Sequence, residues 1–232
     1  MIATVVAITG GAALGSLTTY LAMRHGINRL RAALSDAVWR LTHDPLTDLH
    51  NRLGLRVAHQ ATTASGDPGR IIVLLIDLDL FKQVNDAHGH DAGDELLRAA
   101  ADRIGQLAAL YGGHAARLSG DEFAAVIPLG RHEPARLAEH FIVLIAEPVT
   151  VTGDDGPVTV TITASLGVNI AAGTDLLEGV ALHHADLAMY QAKQQGGNRY
   201  VFHQPGMTMP DHRPRRGPRL RDRRRTQNGD GA

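Results

Sequence analysis

Two periods of hydrophobic placement divide this chain. Residues 2–23 carry no charged side chain, and Arg24, Arg29 and Arg31 follow at once. As a helix the uncharged stretch would be about 33 Å long, enough to cross a bilayer's hydrocarbon core. Ile27, Leu30, Leu34, Ala37 and Leu41 then recur at a 3-4-3-4 spacing, an a/d seam over two heptads. Such a short seam fits either self-pairing or packing on the chain's own domain. A helix is predicted over 52–64, with a polar loop at 65–69. Residues 71–76 are an unbroken apolar run, read as a buried strand over 71–78. Leu96, Leu97, Ala100, Ile104 and Leu107 share one face of a helix spanning about 94–109. A hairpin is predicted over 115–128 and a helix over 134–146. Residues 158–170 alternate Val and Ile with Thr and Ser, the pattern of one half-buried strand. A helix over 186–194 stops before Gly196 and Gly197, and residues 200–202 could close a last strand. Helices on one face of an antiparallel-rich sheet give an α+β palm.

Charge refines this outline. The net charge of −1 hides an acidic middle and an Arg-rich end, and there is no cysteine. Disulfides and thiolate metal sites are therefore excluded, leaving oxygen or imidazole as ligands. The thirteen histidines show no spacing of a second ligand cluster, so His90 is a poor metal ligand. The absence of Lys or Arg before Arg24 favours a membrane anchor over a cleaved signal peptide. The arginines that follow place the bulk of the chain in the cytoplasm. From residue 204 the periodic pattern is lost. The stretch HRPRRGPRLRDRRR (212–225) reads as a disordered basic tail, either merely solvated or a binder of anionic lipid or nucleic acid.

The chemistry gathers at two places. Asp77 and Asp79 end the apolar run, and Ser119-Gly120-Asp121-Glu122-Phe123 forms a tight turn between apolar flanks. An acid at the end of a buried strand needs a cation or a basic partner. Beside a second acid in a hairpin turn, it makes a site for a hard divalent cation with substrate phosphates. Asp79 is expected to turn away from Asp77 and to be structural.

DPLTDLHNR (44–52), DLDLFKQVNDAHGHDAGD (77–94), SGDEF (119–123), TASLGV (163–168) and ADLAMYQAKQQGGNR (185–199) follow one another in order. Together they resemble the successive signatures of the GGDEF family of diguanylate cyclases. The resemblance implies a ferredoxin-like palm over 42–203; the charge pattern sets an anchor (1–24) and a linker helix (25–41) before it and the tail (204–232) after it. It implies condensation of two GTP into cyclic di-GMP by a homodimer that needs Mg²⁺ or Mn²⁺. By the same resemblance Asp77, the Leu78 carbonyl and Asp121 ligate the metal. Asp121 also helps deprotonate the attacking hydroxyl, Glu122 is required, and Lys82 stabilises charge in the transition state. Phe81, Lys82, Asn85, His90, Asp94 and Lys193 hold the substrate, with Asn85, His90 and Asp94 at the base and the lysines at phosphates. Asp94 could equally cap a helix starting there. A linker helix that pairs two subunits is also a family trait. The expected setting is a single-pass bacterial plasma-membrane protein with its catalytic domain in the cytoplasm.

Four positions depart from the pattern. Ser119 stands for the first glycine, Gly197 for an arginine one turn after Lys193, and Leu110 and Gly113 for an inhibitory RxxD pair. Arg199 is near enough to stand in for the missing arginine. Ser119 and Gly197 keep open an alternative: a weak or inactive domain that serves as a GTP-binding regulatory module.

Overall fold

A computed structural model describes the backbone of residues 2–64, 69–154 and 156–209, and the side chains of 20–61, 69–154 and 156–209. Residues 65–68 of the expected loop and the basic stretch beyond 209 lie outside the described residues. So do the side chains of most of the expected anchor. Its backbone forms the start of one unbroken helix, α1 (Ile2–Thr42), that also contains the linker segment. Among the described residues no helix is long and apolar enough to cross a membrane.

The predicted elements are present as α2 (Arg52–Ala64), β1 (Arg70–Leu78), the hairpin β2 (His114–Ser119) and β3 (Glu122–Pro128), and α4 (Pro134–Ile145). Between β1 and β2 the helix is longer than its apolar stripe. α3 (Phe81–Leu110) begins thirteen residues before the predicted 94, with a break at Gly89 (φ 85, ψ 165). A left-handed residue of this kind suits glycine, and here it kinks the helix rather than ending it. Asp94 therefore lies inside the helix and caps nothing. The single strand expected over 158–170 is two strands. β5 (Gly156–Val160) pairs with β4 (Val149–Gly153) in a separate hairpin, and β6 (Ala164–Ala172) enters the main sheet. The chain closes with a π-helical turn (Leu177–Ala181), α5 (Leu182–Gln194) and β7 (Arg199–Phe202).

The main sheet has the order β2-β3-β1-β6-β7, antiparallel except for β6 with β7. Helices cover both of its faces, not one as expected. Strand alternation sends Ile72, Leu74, Ile76 and Leu78 into a cluster with α3 and α4. It sends Ile71, Val73 and Leu75 to the other side, against Leu55 of α2 and Ala185 and Met189 of α5. This is why 71–76 is apolar throughout. β6 is likewise buried on both faces for most of its length. Each such Leu or Ile contributes about 1.5–3 kcal/mol by burial.

Close approach of α5 fixes one residue type. A Cβ at Gly167 of β6 would run into the Ala185 carbonyl of α5. Gly167→Ala is expected to cost about 2–3 kcal/mol. Urea denaturation would measure it, and an unchanged midpoint would contradict the close packing.

Candidate active site

Three elements end together. β1 stops at Leu78, the β2–β3 turn follows Ser119, and α3 starts at Phe81. The Leu78 amide donates to the Asp121 carbonyl at 3.3 Å, joining the strand end to the turn. Asp77 and Glu122 are direct cross-strand partners, so their side chains share the α5 face of the sheet. Lys193 of α5 reaches this face, and its Nζ lies 2.7 Å from Asp77 Oδ2. Burial pushes the Asp77 carboxyl above its ordinary value of 3.8. Lys193 opposes that, and the nearby Asp121 and Glu122 reinforce it.

Asp79 is structural, but not because it faces away. Residues two apart on a strand share a face. What separates Asp79 from Asp77 is the end of β1. Beyond it, Asp79 Oδ1 accepts from Ser165 Oγ (2.6 Å), and Oδ2 accepts from Thr163 Oγ1 (2.7 Å) and the Asn198 amide (2.8 Å). Its own amide donates to the Thr163 carbonyl at 2.8 Å. This clasp fixes where the chain enters β6. It also crowds position 197: Gly197 has φ +73, and a Cβ there would lie 2.8 Å from Asp79 Oδ2, so the carboxylate would have to shift. Arg199 closes the same turn, donating to the Gly197 carbonyl (3.1 Å) and Gln195 Oε1 (3.2 Å).

The α3 residues divide. Phe81 is half-buried against the core. Lys82 is exposed and bonded to Asp86 at 2.6 Å. Asn85 lies against Gly93, which precedes Asp94, because the kink folds the first part of α3 beside the second. A Cβ at Gly93 would strike the Asn85 amide oxygen. Asn85 and Asp94 are therefore near each other, and His90 is exposed just past the kink. At the positions of the absent inhibitory pair, Leu110 ends α3 and Gly113 leaves no room for a side chain beside the Val126 carbonyl.

Two groups escaped the sequence reading. Asp186 lines a 240 Å³ cavity with Arg52, Glu122, Glu178 and His183. Burial raises its pKa, with Glu122 adding and His183 and Lys193 opposing. The seven-residue spacing from Asp186 to Lys193, two helical turns, was the available signal. The second is Arg117. It donates to Asp44 Oδ1 (3.0 Å) and to the Gly120 carbonyl (2.8 Å). Burial would raise the Asp44 pKa, but hydrogen bonds from Thr47 and Arg117 outweigh it and lower it. A larger hollow of 590 Å³, between α2 and the connection from β6 to α5, contains none of the expected site residues.

The model of the diguanylate cyclase GGDEF domain matches residues 41–199. The chain belongs to this family. It is 39% identical over 170 residues to MucR, a bifunctional diguanylate cyclase/cyclic di-GMP phosphodiesterase of Pseudomonas aeruginosa. That match covers 71% of this chain but 24% of MucR. An uncharacterised signalling protein of Caulobacter vibrioides is 37% identical, over 79% of this chain and 23% of its own length. This chain thus spans about a quarter of those relatives. Diguanylate cyclase DgcZ of Escherichia coli is 32% identical, with 78% of this chain and 62% of DgcZ covered. The structure of the coiled coil and GGDEF domain of Caulobacter crescentus DgcB with c-di-GMP is similar at a TM-score of 0.66. It shares 30% identity and covers 81% of this chain and 99% of that one.

The donor set fits the metal that GGDEF domains imply. Among the described residues no three His, Asp or Glu side chains come together as a metal cage. Mg²⁺ needs none, since it uses one or two carboxylates and completes its shell with water and phosphate. Asp77, the Leu78 carbonyl and Asp121 supply such oxygens, and Mn²⁺ accepts the same ones.

The raised Asp77 pKa has a signed consequence. The folded carboxyl holds its proton more tightly than the unfolded one. Its contribution to stability is thus complete below pH 3.8 and is lost as pH rises through the folded value. Asp77→Asn does not titrate. Without divalent cation, its stability relative to wild type should grow as pH rises from 3.5 to 7. Urea denaturation at both ends would check this, and a change in the opposite direction would show that Lys193 dominates burial.

Proposed function

We propose that this chain is a diguanylate cyclase condensing two GTP into cyclic di-GMP. The observation that carries the reading is the convergence of Asp77, Glu122 and Lys193 on one sheet face beside the Asp121 turn. Each GTP 3′-oxygen attacks the α-phosphate of the other. A new P–O bond forms, the bond to the β-phosphate breaks, and pyrophosphate leaves. The proton of the attacking hydroxyl passes towards Asp121. The divalent cation, when bound, polarises the phosphate and lowers the pKa of the attacking hydroxyl. Lys82 and Lys193 neutralise phosphate charge, Lys193 from its pairing with the buried Asp77 at 2.7 Å. Lys82 is held only by an exposed partner, a contact worth little in water. Asn85 and Asp94 bind guanine: the carboxylate accepts from N1–H and N2–H₂, and the amide offers a donor and an acceptor. Phe81 and His90 flank the base. Positioning and charge neutralisation supply most of the catalysis.

Two half-sites must meet, so the working unit is a homodimer. Ile27, Leu30, Leu34 and Leu41 of α1 are exposed and form one apolar seam. The coiled coil of DgcB supports pairing through it. We further propose that residues 2–23 anchor the chain in a bacterial plasma membrane with the catalytic domain in the cytoplasm, supported by their lack of charge. The basic tail (204–232) has the charge to bind anionic lipid or nucleic acid. A GTP-binding regulatory module is the second reading, favoured by Gly197 where the family has arginine.

The purified chain with GTP and Mg²⁺ should yield cyclic di-GMP and pyrophosphate. Asp121→Asn should lower turnover at least a hundredfold while leaving the melting temperature within a few degrees. GTP binding without product in the wild type would select the regulatory reading.

Encounter of two domains also predicts a concentration dependence. Specific activity should fall on dilution, and Leu30→Lys with Leu34→Lys should lower it several-fold without changing GTP affinity. Constant specific activity down to a demonstrated monomer would refute the two-half-site reaction.

A further inference from the structure

Ser119 stands where the family signature has glycine, and its side chain is not idle. The register of β2 with β3 shifts between Arg117 and Ser119, and this bulge sets Ser119 directly opposite Glu122. Ser119 Oγ donates to Glu122 Oε2 at 2.9 Å. Among the described residues, this is the side-chain hydrogen bond that Glu122 receives. We propose that Ser119 is a positioning residue whose hydroxyl holds the Glu122 carboxylate towards the reaction centre, doing in this chain what glycine cannot.

The electrostatics show why a restraint is needed. Glu122 is the cross-strand partner of Asp77 and lines one cavity with Asp186. It raises the pKa of both, so Glu122 is repelled by a carboxylate on either side. Lys193 neutralises Asp77 at 2.7 Å and makes no ion pair with Glu122 among the described residues. An unrestrained Glu122, half-exposed at the start of β3, would rotate out to water to escape its neighbours. A hydroxyl donor on the facing strand offsets that repulsion and fixes one carboxylate oxygen. The other oxygen is left for the reaction. The turn tolerates the extra Cβ because the left-handed position falls on Gly120 (φ +51). Ser119 thus adds a hydroxyl without backbone strain.

The proposal rests on the diguanylate cyclase reading, and one set of measurements separates the two. Steady-state kcat, KM for GTP and melting temperature would be compared for the wild type, Ser119→Ala, Ser119→Gly and Ser119→Thr. Loss of one hydrogen bond to a charged group near water should lower kcat about fivefold in both Ser119→Ala and Ser119→Gly. KM and melting temperature should not move, because the hydroxyl acts through Glu122 alone. Ser119→Thr retains the donor and should stay within about twofold of wild type. Equal or higher kcat in Ser119→Gly would show that the serine is only a steric burden and would overturn the proposal while the enzymatic reading stood. A fall in kcat matched by a rise in KM or a loss of melting temperature would also overturn it, by assigning Ser119 a merely structural role. A wild type without product would overturn the reading itself, and the proposal with it.

Discussion

A carboxylate at the end of a strand buried on both faces is a debt of charge. Asp77 sits where β1 leaves the apolar interior, and desolvation there disfavours its ionised form. The surroundings are arranged around that anion. Lys193 comes from α5 because α5 packs on the Asp77 face of the sheet, and Gly167 is what lets it come so close. Asp121 and Glu122 come from the neighbouring hairpin, where they add to the negative potential instead of relieving it. One lysine against that group of acids leaves a deficit of positive charge. Hard cations and the cationic groups that handle phosphate can fill it. The same imbalance that makes the isolated site uncomfortable makes it fit for metal-assisted phosphoryl chemistry.

The second constraint is mechanical. Asn51 closes the end of α1 by donating to the Leu41 and His43 carbonyls at 3.0 and 3.3 Å, and its oxygen caps α2 through the Gly54 amide at 3.0 Å. The His50 carbonyl takes the Arg117 amide, and the Arg117 side chain spans from Asp44 to Gly120. The rings of Trp39, His43, His50 and His114 follow one another across this junction. Burial, then the proximity of His43 and His114, holds the His50 pKa below its ordinary value. A displacement at the end of α1 therefore meets partly buried polar contacts, not a loose linker, before it reaches the signature turn. These contacts form a contiguous physical connection, and only two discrete arrangements of it would make it a switch.

The sequence made some elements plain and hid others, for physical reasons. β1, the β2–β3 hairpin, α2 and α4 were legible because each buries an apolar run or stripe. The first part of α3 was not, since Phe81 and Val84 are its only large apolar positions and the apolar stripe begins at Leu96. Its helicity comes from folding back on the second part, with Asn85 against Gly93. The alternating pattern of 158–170 looked like one strand because β5 and β6 each show a period of two. The Asp79 clasp on Thr163 that divides them is a contact across 84 residues, and no local pattern announces it. Asp77, Asp121, Glu122 and Lys193 were legible as a site because family signatures name them. Asp186 lay inside the last signature and Arg117 two residues before the SGDEF turn, and both were passed over because Glu122 and Asp44, which they meet, come from distant segments.

The departures from the family pattern look different in three dimensions from how they look in a string. In the sequence, Gly197 is a lost cation. In the structure it is the residue that permits the turn to fold onto Asp79, because a side chain there would meet the carboxylate. An arginine at 197 would require that clasp to be rebuilt, so the missing cation and the Asp79 clasp are a single arrangement. Gly113 follows the same logic, with the Val126 carbonyl occupying the space an acidic side chain would need. Ser119 is the opposite case, a side chain added where none is required, and it finds a partner three residues away. Such differences decay into a damaged site only if nothing compensates them. Here the compensation at 197 and 113 is backbone geometry that holds the fold, whereas at 119 it is a hydrogen bond to an acid of the site. Of these positions, 119 is the one whose own side chain bonds an acid of the site.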